Sequence, residues 1–357
     1  TITICWGGLP GRGEGAMPDM QVSVVIPVFN AAAYVEPAVR SALDQPETGE
    51  VILVEDGSAD DSLAVCRRLA EQHAAVHLFR HPGGANRGAG ASRNLGLERA
   101  TCPLVAFLDA DDLYLPGRFT SALAVFSAHP DADGVYESTG TFFENEDVHR
   151  RWQAARWPET MGLRRPVAPA ALFETLVGGG AGSFCTDGIV VRRDLFAKSG
   201  CFNPTLRTGQ DTHLWIRMAA VGRLYPGKTD APVSLCRIHA GNRVTGHSRQ
   251  NQLGGIRQVW GDLILWGRAR DLPREWIRLL SHRYAVAAHG LVMEKHLFGA
   301  WWSGLCSCGF LVRHCPQPWR MASFLSLLNT ASGIGLALAR LGDHVRRRRA
   351  AVEDRAA

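Results

Sequence analysis

The sequence predicts an α/β fold: a mostly parallel sheet flanked by helices, followed by a helical C-terminal extension. Three observations predict it. Between Gln21 and about Leu115, short apolar runs alternate with helical stretches in the order β-α-β-α-β-α-β. Strands joined through helices are parallel and are covered on both faces. The runs, such as Leu104-Val105-Ala106-Phe107, are continuously apolar, as buried strands are. From Gln252 onward the pattern is mostly helical.

The elements follow in order. Residues 22–26 form a strand that Pro27 is expected to stop. Residues 33–43 read as a helix and residues 51–54 as the second strand. Residues 62–72 are helical, with Asp60 or Asp61 available as cap. Residues 76–79 form the third strand. A glycine-rich loop, 83–90, leads into a helix over 92–100, and residues 104–108 form the fourth strand. A helix is expected from Arg118 to Ser127. Residues 137–169 read as irregular, carrying Trp152, Trp157 and many arginines. Residues 189–191 return as a strand, 212–221 as a helix and 232–238 as extended chain. There is no internal repeat.

With 357 residues the chain can bury a full core in one or two domains. A net charge of +5 is mild, and no nucleic-acid partner is expected. All but Lys198, Lys228 and Lys295 of the 39 basic residues are arginine, which fits a high-GC genome as well as a binding surface. The nine cysteines show no zinc spacing and no regular framework, so reduced thiols in a cytoplasmic protein are expected. Residues 1–19 are glycine-rich without an apolar segment, and read as a non-native or disordered leader rather than a signal peptide. Met17 and Met20 are candidate starts.

Polar residues stand after three of the strands: Pro27-Val28-Phe29-Asn30, Glu55-Asp56-Gly57-Ser58-Ala59-Asp60, and Asp109-Ala110-Asp111-Asp112. In an open α/β sheet these positions share the carboxyl edge, where ligands bind. One strand-end acid is often a helix cap; three on one edge favour a pocket. Carboxylates two residues apart in extended chain point the same way. Asp109 and Asp111 therefore face one ligand, and a hard ion such as Mg²⁺ or Mn²⁺ would relieve their repulsion. A solvated acidic turn capping the next helix is the alternative.

These segments resemble the nucleotide-binding half of glycosyltransferase family 2, which has the GT-A fold. The resemblance continues through Gly83-Gly84-Ala85-Asn86-Arg87-Gly88, Ala91-Ser92-Arg93-Asn94-Leu95-Gly96, Gly200-Cys201-Phe202-Asn203, Gly209-Gln210-Asp211-Thr212-His213-Leu214-Trp215-Ile216-Arg217 and Cys236-Arg237-Ile238-His239. It covers roughly residues 20–245, with 20–118 as nucleotide-binding half and 119–245 as acceptor half; 246–357 is the helical extension. The resemblance implies an inverting transfer from a nucleotide-sugar to a glycan or lipid-linked acceptor in surface polysaccharide biosynthesis. It implies that Asp56 accepts the uracil N–H of a UDP-sugar, that Pro27 and Asn30 wrap the nucleotide, and that Arg93 faces it. It places Asp109 at the ribose and metal, Asp111 on the metal, His239 on the metal or diphosphate, and Asp187 near a sugar. Asp112 is expected to cap the following helix. Asp211 is the candidate general base, or a cap of the helix 212–221. Family members commonly carry Glu-Asp where this chain has Gln210-Asp211, which leaves the role of position 210 open. The segment 137–187 is expected to build the acceptor side.

A dinucleotide-binding oxidoreductase is the rival from another class, but it needs G-x-G-x-x-G directly after the first strand, where this chain has Pro27-Val28-Phe29-Asn30. A non-catalytic binding protein on the same fold is the other rival; it would tolerate loss of Asp111 and Asp211, and both are present. In the extension, residues 322–341 are apolar but interrupted by Asn329, Thr330, Ser332, Gly333 and Arg340, a poor spanning helix. Trp301, Trp302 and Trp319 fit an interface belt or a core, and the arginine run 346–349 a solvated tail or anionic lipid. Peripheral contact of the C-terminal region with the inner face of the membrane is the expectation carried by these residues.

Overall fold

The computed structural model describes residues 20–239 and 249–294, together with Cys306, Ser307, Phe310, Leu311, Arg313 and His314. The expectations for the leader 1–19, for Trp301, Trp302 and Trp319, and for residues 322–341 and 346–349 lie outside the described residues. The chain divides into two compact units, residues 1–246 and 247–357.

The first unit is built on a seven-stranded sheet. β1 (Val22–Val28), β2 (Thr48–Glu55), β3 (Val76–Arg80) and β4 (Leu104–Phe107) are parallel, in the spatial order β3-β2-β1-β4. Helices α1 (Val35–Leu43), α2 (Ser62–Gln72) and α3 (Ala89–Arg99) connect them. The chain runs outward from β1 to β3 and then crosses to β4 on the other side. The switch point, where the crevice of such sheets opens, therefore lies between β1 and β4. Strands β1 and β4 are almost entirely buried, which accounts for their unbroken apolar runs. α3 lies on β1 at Gly96, where a Cβ would meet the Val25 side chain.

Pro27 does not stop β1; it pairs with Val54 and the strand runs to Val28. The ladder to β4 covers only residues 22–25, so Pro27 sits past the end of β4 and no partner there lacks its missing N–H.

Beyond β4, β5 (Leu113–Tyr114) leads to α4 (Thr120–Ala128). Residues 137–169 are not irregular. β6 (Gly134–Tyr136) joins the main sheet; β7 (Ser138–Phe143), α5 (Glu146–Ala154), β8 (Thr160–Met161) and α6 (Pro169–Gly178) follow. β9 (Ile189–Arg192) runs antiparallel between β4 and β6. After α7 (Leu195–Ser199) come α8 (Gln210–Val221), β10 (Leu224–Pro226) and β11 (Pro232–Ile238). β11 lies between β5 and β7 in a second, four-stranded sheet completed by β8. The two sheets separate at Glu137, so the second one stands on the carboxyl edge of the first.

The second unit contains two long helices, Arg249–Arg268 and Arg274–Glu294. They bury Leu263, Ile264, Leu280 and Ala288, and Arg257 donates to the Tyr284 hydroxyl at 3.2 Å. Among the described residues no helix is long and apolar enough to cross a membrane.

Candidate active site

Four strand ends meet at the switch point. At the end of β1, Asn30 takes the left-handed conformation, φ 50°, which Asn tolerates better than most residues. Its Oδ1 accepts from the N–H of Ala59 at 2.9 Å, and its own N–H donates to Ser58 Oγ at 3.0 Å. This ties the β1 and β2 exits together. At the end of β2, Asp56 is buried, and its two oxygens accept the N–H groups of Arg87 and Gly88 at 2.7 and 2.8 Å. Gly57, φ 72°, lets the loop approach; a Cβ there would lie 2.6 Å from Gly84 O. His81 closes the floor 3.1 Å from Ser92 Oγ, and burial lowers its pKa.

At the end of β4, Asp109 accepts from the buried Arg93 guanidinium, which also lies over the Phe202 ring. Arg93 Nε has no partner among the described residues. The charges of Asp211 and Asp187 also act on Arg93, so these acids and Asp109 surround one cation. β9 contributes because it is antiparallel: its first turn lies where β4 ends, and Asp187 there accepts the Asp109 N–H at 3.0 Å.

Asp111 and His239 meet from residues 128 apart, Oδ2 to Nε2 at 3.0 Å, with His239 against the Tyr34 ring. Asp112 caps no helix. It is buried, and its Oδ1 accepts the Arg237 N–H at 2.7 Å, fixing β11 against the acidic turn. Its carboxyl also bonds that of Asp187. Oxygens of Asp109, Asp112 and Asp187 lie within 4.8 Å of one another. Burial first, then Asp109, pushes Asp187 up to about 7; burial and then Asp187 push Asp112 well above the usual carboxylate range. Asp111 is raised by burial and then by Asp109.

Asp211 is not a cap either: α8 starts at Gln210 with Gly209 as its N-cap, and Asp211 lies in the first turn. Its Oδ1 accepts the Thr212 N–H at 2.8 Å. Gln210 donates to Leu206 O and covers Gly90, where a Cβ would meet it at 2.7 Å. Position 210 thus packs the start of α8 onto the start of α3, where a glutamate would bring a half-buried charge.

A family profile described as "Glycosyl transferase family 2" matches residues 23–199. The succinoglycan biosynthesis protein ExoU of Rhizobium meliloti (strain 1021) is 30% identical over 286 residues, 76% of this chain and 78% of that protein. The chain belongs to glycosyltransferase family 2. The uncharacterized glycosyltransferase RP339 of Rickettsia prowazekii (strain Madrid E) is 25% identical over 245 residues, 68% of this chain and 71% of that one. Among solved structures, S. aureus TarS 1-349 in complex with UDP-GlcNAc superposes with a TM-score of 0.63 at 17% identity, over 84% of this chain and 83% of that chain. That likeness shows the GT-A fold. As a family 2 glycosyltransferase the chain is an enzyme, which sets aside the oxidoreductase rival.

Sequence reasoning missed Arg118 and Glu137, a fully buried ion pair at 2.7 Å. Arg118 Nε also donates to Asp187 O at 3.0 Å. It missed as well the Asp112–Asp187 pair, which joins residues far apart in sequence.

A raised Asp187 has a consequence for stability. An unfolded Asp ionises near pH 3.9, whereas the folded group holds its proton to about 7. Folding then disfavours the charged form, and the penalty grows as pH rises through that window and is complete above it. In chelator, Asp187→Asn is expected to gain stability on the wild type between about pH 4 and pH 7. Urea midpoints at several pH values check this; parallel profiles would show that no proton is held there.

Proposed function

We propose that this glycosyltransferase carries out an inverting, metal-dependent transfer from a UDP-sugar to a glycan or lipid-linked acceptor in surface polysaccharide biosynthesis. The observation that carries the reading is the convergence on one sheet edge of Asp56, Arg93, Asp109, Asp111, His239 and Asp211. The relatives support it: ExoU is named for succinoglycan biosynthesis, and TarS was solved with UDP-GlcNAc. The described cysteines are free thiols, which supports a reducing, cytoplasmic setting.

The residues fit a hard divalent ion. A carboxylate oxygen and an imidazole nitrogen that already converge beside a second acid are a donor set such an ion can take. Asp111 Oδ2 and His239 Nε2 are 3.0 Å apart. Asp111 and His239 would hold Mg²⁺ or Mn²⁺, with Asp109 turned toward the ribose. Bound there, the ion would neutralise charge developing on the leaving diphosphate.

The chain's own groups supply the rest. Each Asp56 oxygen keeps a lone pair beyond the one that Arg87 or Gly88 uses, free for the uracil N–H. The unpartnered Arg93 Nε offers a donor to a phosphate oxygen or sugar hydroxyl, and pairing it would relieve a cost of about 1–3 kcal/mol. Pro27 and Asn30 hold the backbone around the nucleotide, and Asp187 holds Asp109 in place. Asp211 would take the proton of the attacking acceptor hydroxyl.

The test is nucleotide release from a panel of UDP-sugars, with Mn²⁺ and with chelator. Asp111→Asn is expected to abolish metal-stimulated turnover while the protein stays folded by circular dichroism. Full activity of that variant in chelator would sink the metal assignment. Absence of UDP binding by the wild type in calorimetry would sink the donor assignment.

A further inference from the structure

The segment Gly200-Cys201-Phe202-Asn203, between α7 and α8, is clamped from both sides. Gly200 takes φ 75°, and a Cβ there would lie 2.9 Å from Arg217 Nη1. From α8, Arg217 donates to Ser199 O at 2.8 Å and to Cys201 O at 2.6 Å. From α3, the Asn94 side chain meets the Phe202 backbone twice. Its Nδ2 donates to Phe202 O and its Oδ1 accepts the Phe202 N–H, each at 2.9 Å. The ring placed in this way is buried, edge-on to Phe107 of β4 at 5.3 Å and to Trp215 of α8 at 5.9 Å. The Arg93 guanidinium lies over it, 5.4 Å from the centroid.

That contact settles a competition. Three acids, Asp109, Asp187 and Asp211, act on the buried Arg93 cation. Charge by itself does not choose among them, because each attracts the same group. A guanidinium is planar, so a ring against its face fixes the plane in which its N–H groups point. With the plane so fixed, Nη2 donates to Asp109. Asp187 is taken up by the Asp109 N–H and the Asp112 carboxyl. Asp211 enters no ion pair among the described residues, which makes it the partner that Arg93 would find if the ring were lost.

We infer that Phe202, held by Asn94, is a positioning residue of the transfer: its ring keeps Arg93 on Asp109 and off Asp211, so that the cation serves the donor and the base stays unpaired. Donor and base are those of the transferase reading above, on which this rests. A ring that only filled the core would matter to stability and not to these two groups.

The test uses the full chain with Mn²⁺ present. UDP affinity is measured by calorimetry, and kcat by UDP release at saturating concentration of the best donor in the UDP-sugar panel. Phe202→Leu keeps an apolar side chain and removes the π face. It is expected to lower UDP affinity about tenfold, the scale of one cation–π contact in a desolvated site. It should lower kcat as well, because Arg93 then pairs with the base. Asn94→Ala, which frees the Phe202 backbone, is expected to lower both in the same way. In an Arg93→Met background neither substitution should change either quantity further, because no cation remains to be aimed. Phe196→Leu is the packing control, since Phe196 is as deeply buried and also meets Phe107 edge-on, at 6.4 Å. It is expected to lower the urea midpoint and leave UDP affinity and kcat at the wild-type values. Wild-type UDP affinity or kcat in Phe202→Leu, an undiminished effect in the Arg93→Met background, or an equal loss in Phe196→Leu would overturn the inference. If Phe202→Leu does not fold, Asn94→Ala carries the same cycle. Failure of the wild type to bind UDP would instead strike the donor reading.

Discussion

Asp211→Asn is expected to lower turnover by about 10²–10⁴-fold, the usual contribution of a general base. The substitution is close to isosteric, and Asn can still accept the Thr212 N–H that Asp211 Oδ1 accepts now. It cannot take a proton from an acceptor hydroxyl. α8 should form unchanged, because its N-cap is Gly209 and not Asp211. UDP affinity should hardly move, because the groups proposed for the nucleotide are Asp56 and Asp109 at strand ends and Arg93 on α3, not on α8. Turnover and UDP affinity measured on one purified sample therefore separate the roles. A large loss in turnover with unchanged UDP binding identifies the base. Near-wild-type turnover refutes it, and parallel losses in both would make Asp211 a partner of Arg93 instead, since its charge acts on that guanidinium.

The parallel half of the fold was legible because its strands are buried on both faces and read as unbroken apolar runs. α2 was read to the residue, and β11 also. β7 was not legible. It is Ser-Thr-Gly-Thr-Phe-Phe, buried largely through small hydroxyl residues whose polar atoms find partners across the sheet. Thr139 Oγ1 lies 2.9 Å from Ser234 Oγ, and Ser138 Oγ donates to Thr229 O at 2.8 Å. No local apolar pattern announces such a strand. α5 is similarly polar, anchored by Trp152 alone among its buried residues.

The site divides in the same way. Residues at strand ends were visible because topology alone places them on one edge. Of the pairings across long sequence gaps, only His239 with Asp111 was expected, because the resemblance puts both at the metal; Asp187 with Asp109 and Asp112 with Arg237 were not. Asp112 looked like a cap because an acid before a helix usually is one. Its burial under β11 follows from the second sheet, which the sequence pattern did not announce. Arg118 was read only as the start of a helix because arginine is rarely fully buried.

Arg118→Met is expected to destabilise the protein by about 3–5 kcal/mol, the cost of stranding a buried charge. Both members of the Arg118–Glu137 pair are fully inaccessible. Removing the guanidinium leaves Glu137 Oε2 without its donor in the interior, although Oε1 keeps the Lys228 N–H at 3.0 Å. Arg118→Met/Glu137→Gln should recover much of the loss, because no charge then remains to be desolvated. Urea midpoints of the single and double variants measure this coupling. A single variant within about 1 kcal/mol of wild type would show that the pair is not what holds this junction. Function should not recover with stability. Arg118 also holds Asp187 O, and Asp187 holds the Asp109 N–H at the nucleotide edge. The double variant does not restore the bond to Asp187 O, which leaves Asp187 less firmly placed under Asp109, so it should stay folded yet bind UDP more weakly than wild type. Full recovery of UDP affinity in the double variant would reduce Arg118 to a structural residue; a lasting deficit makes it the strut that positions the acidic edge.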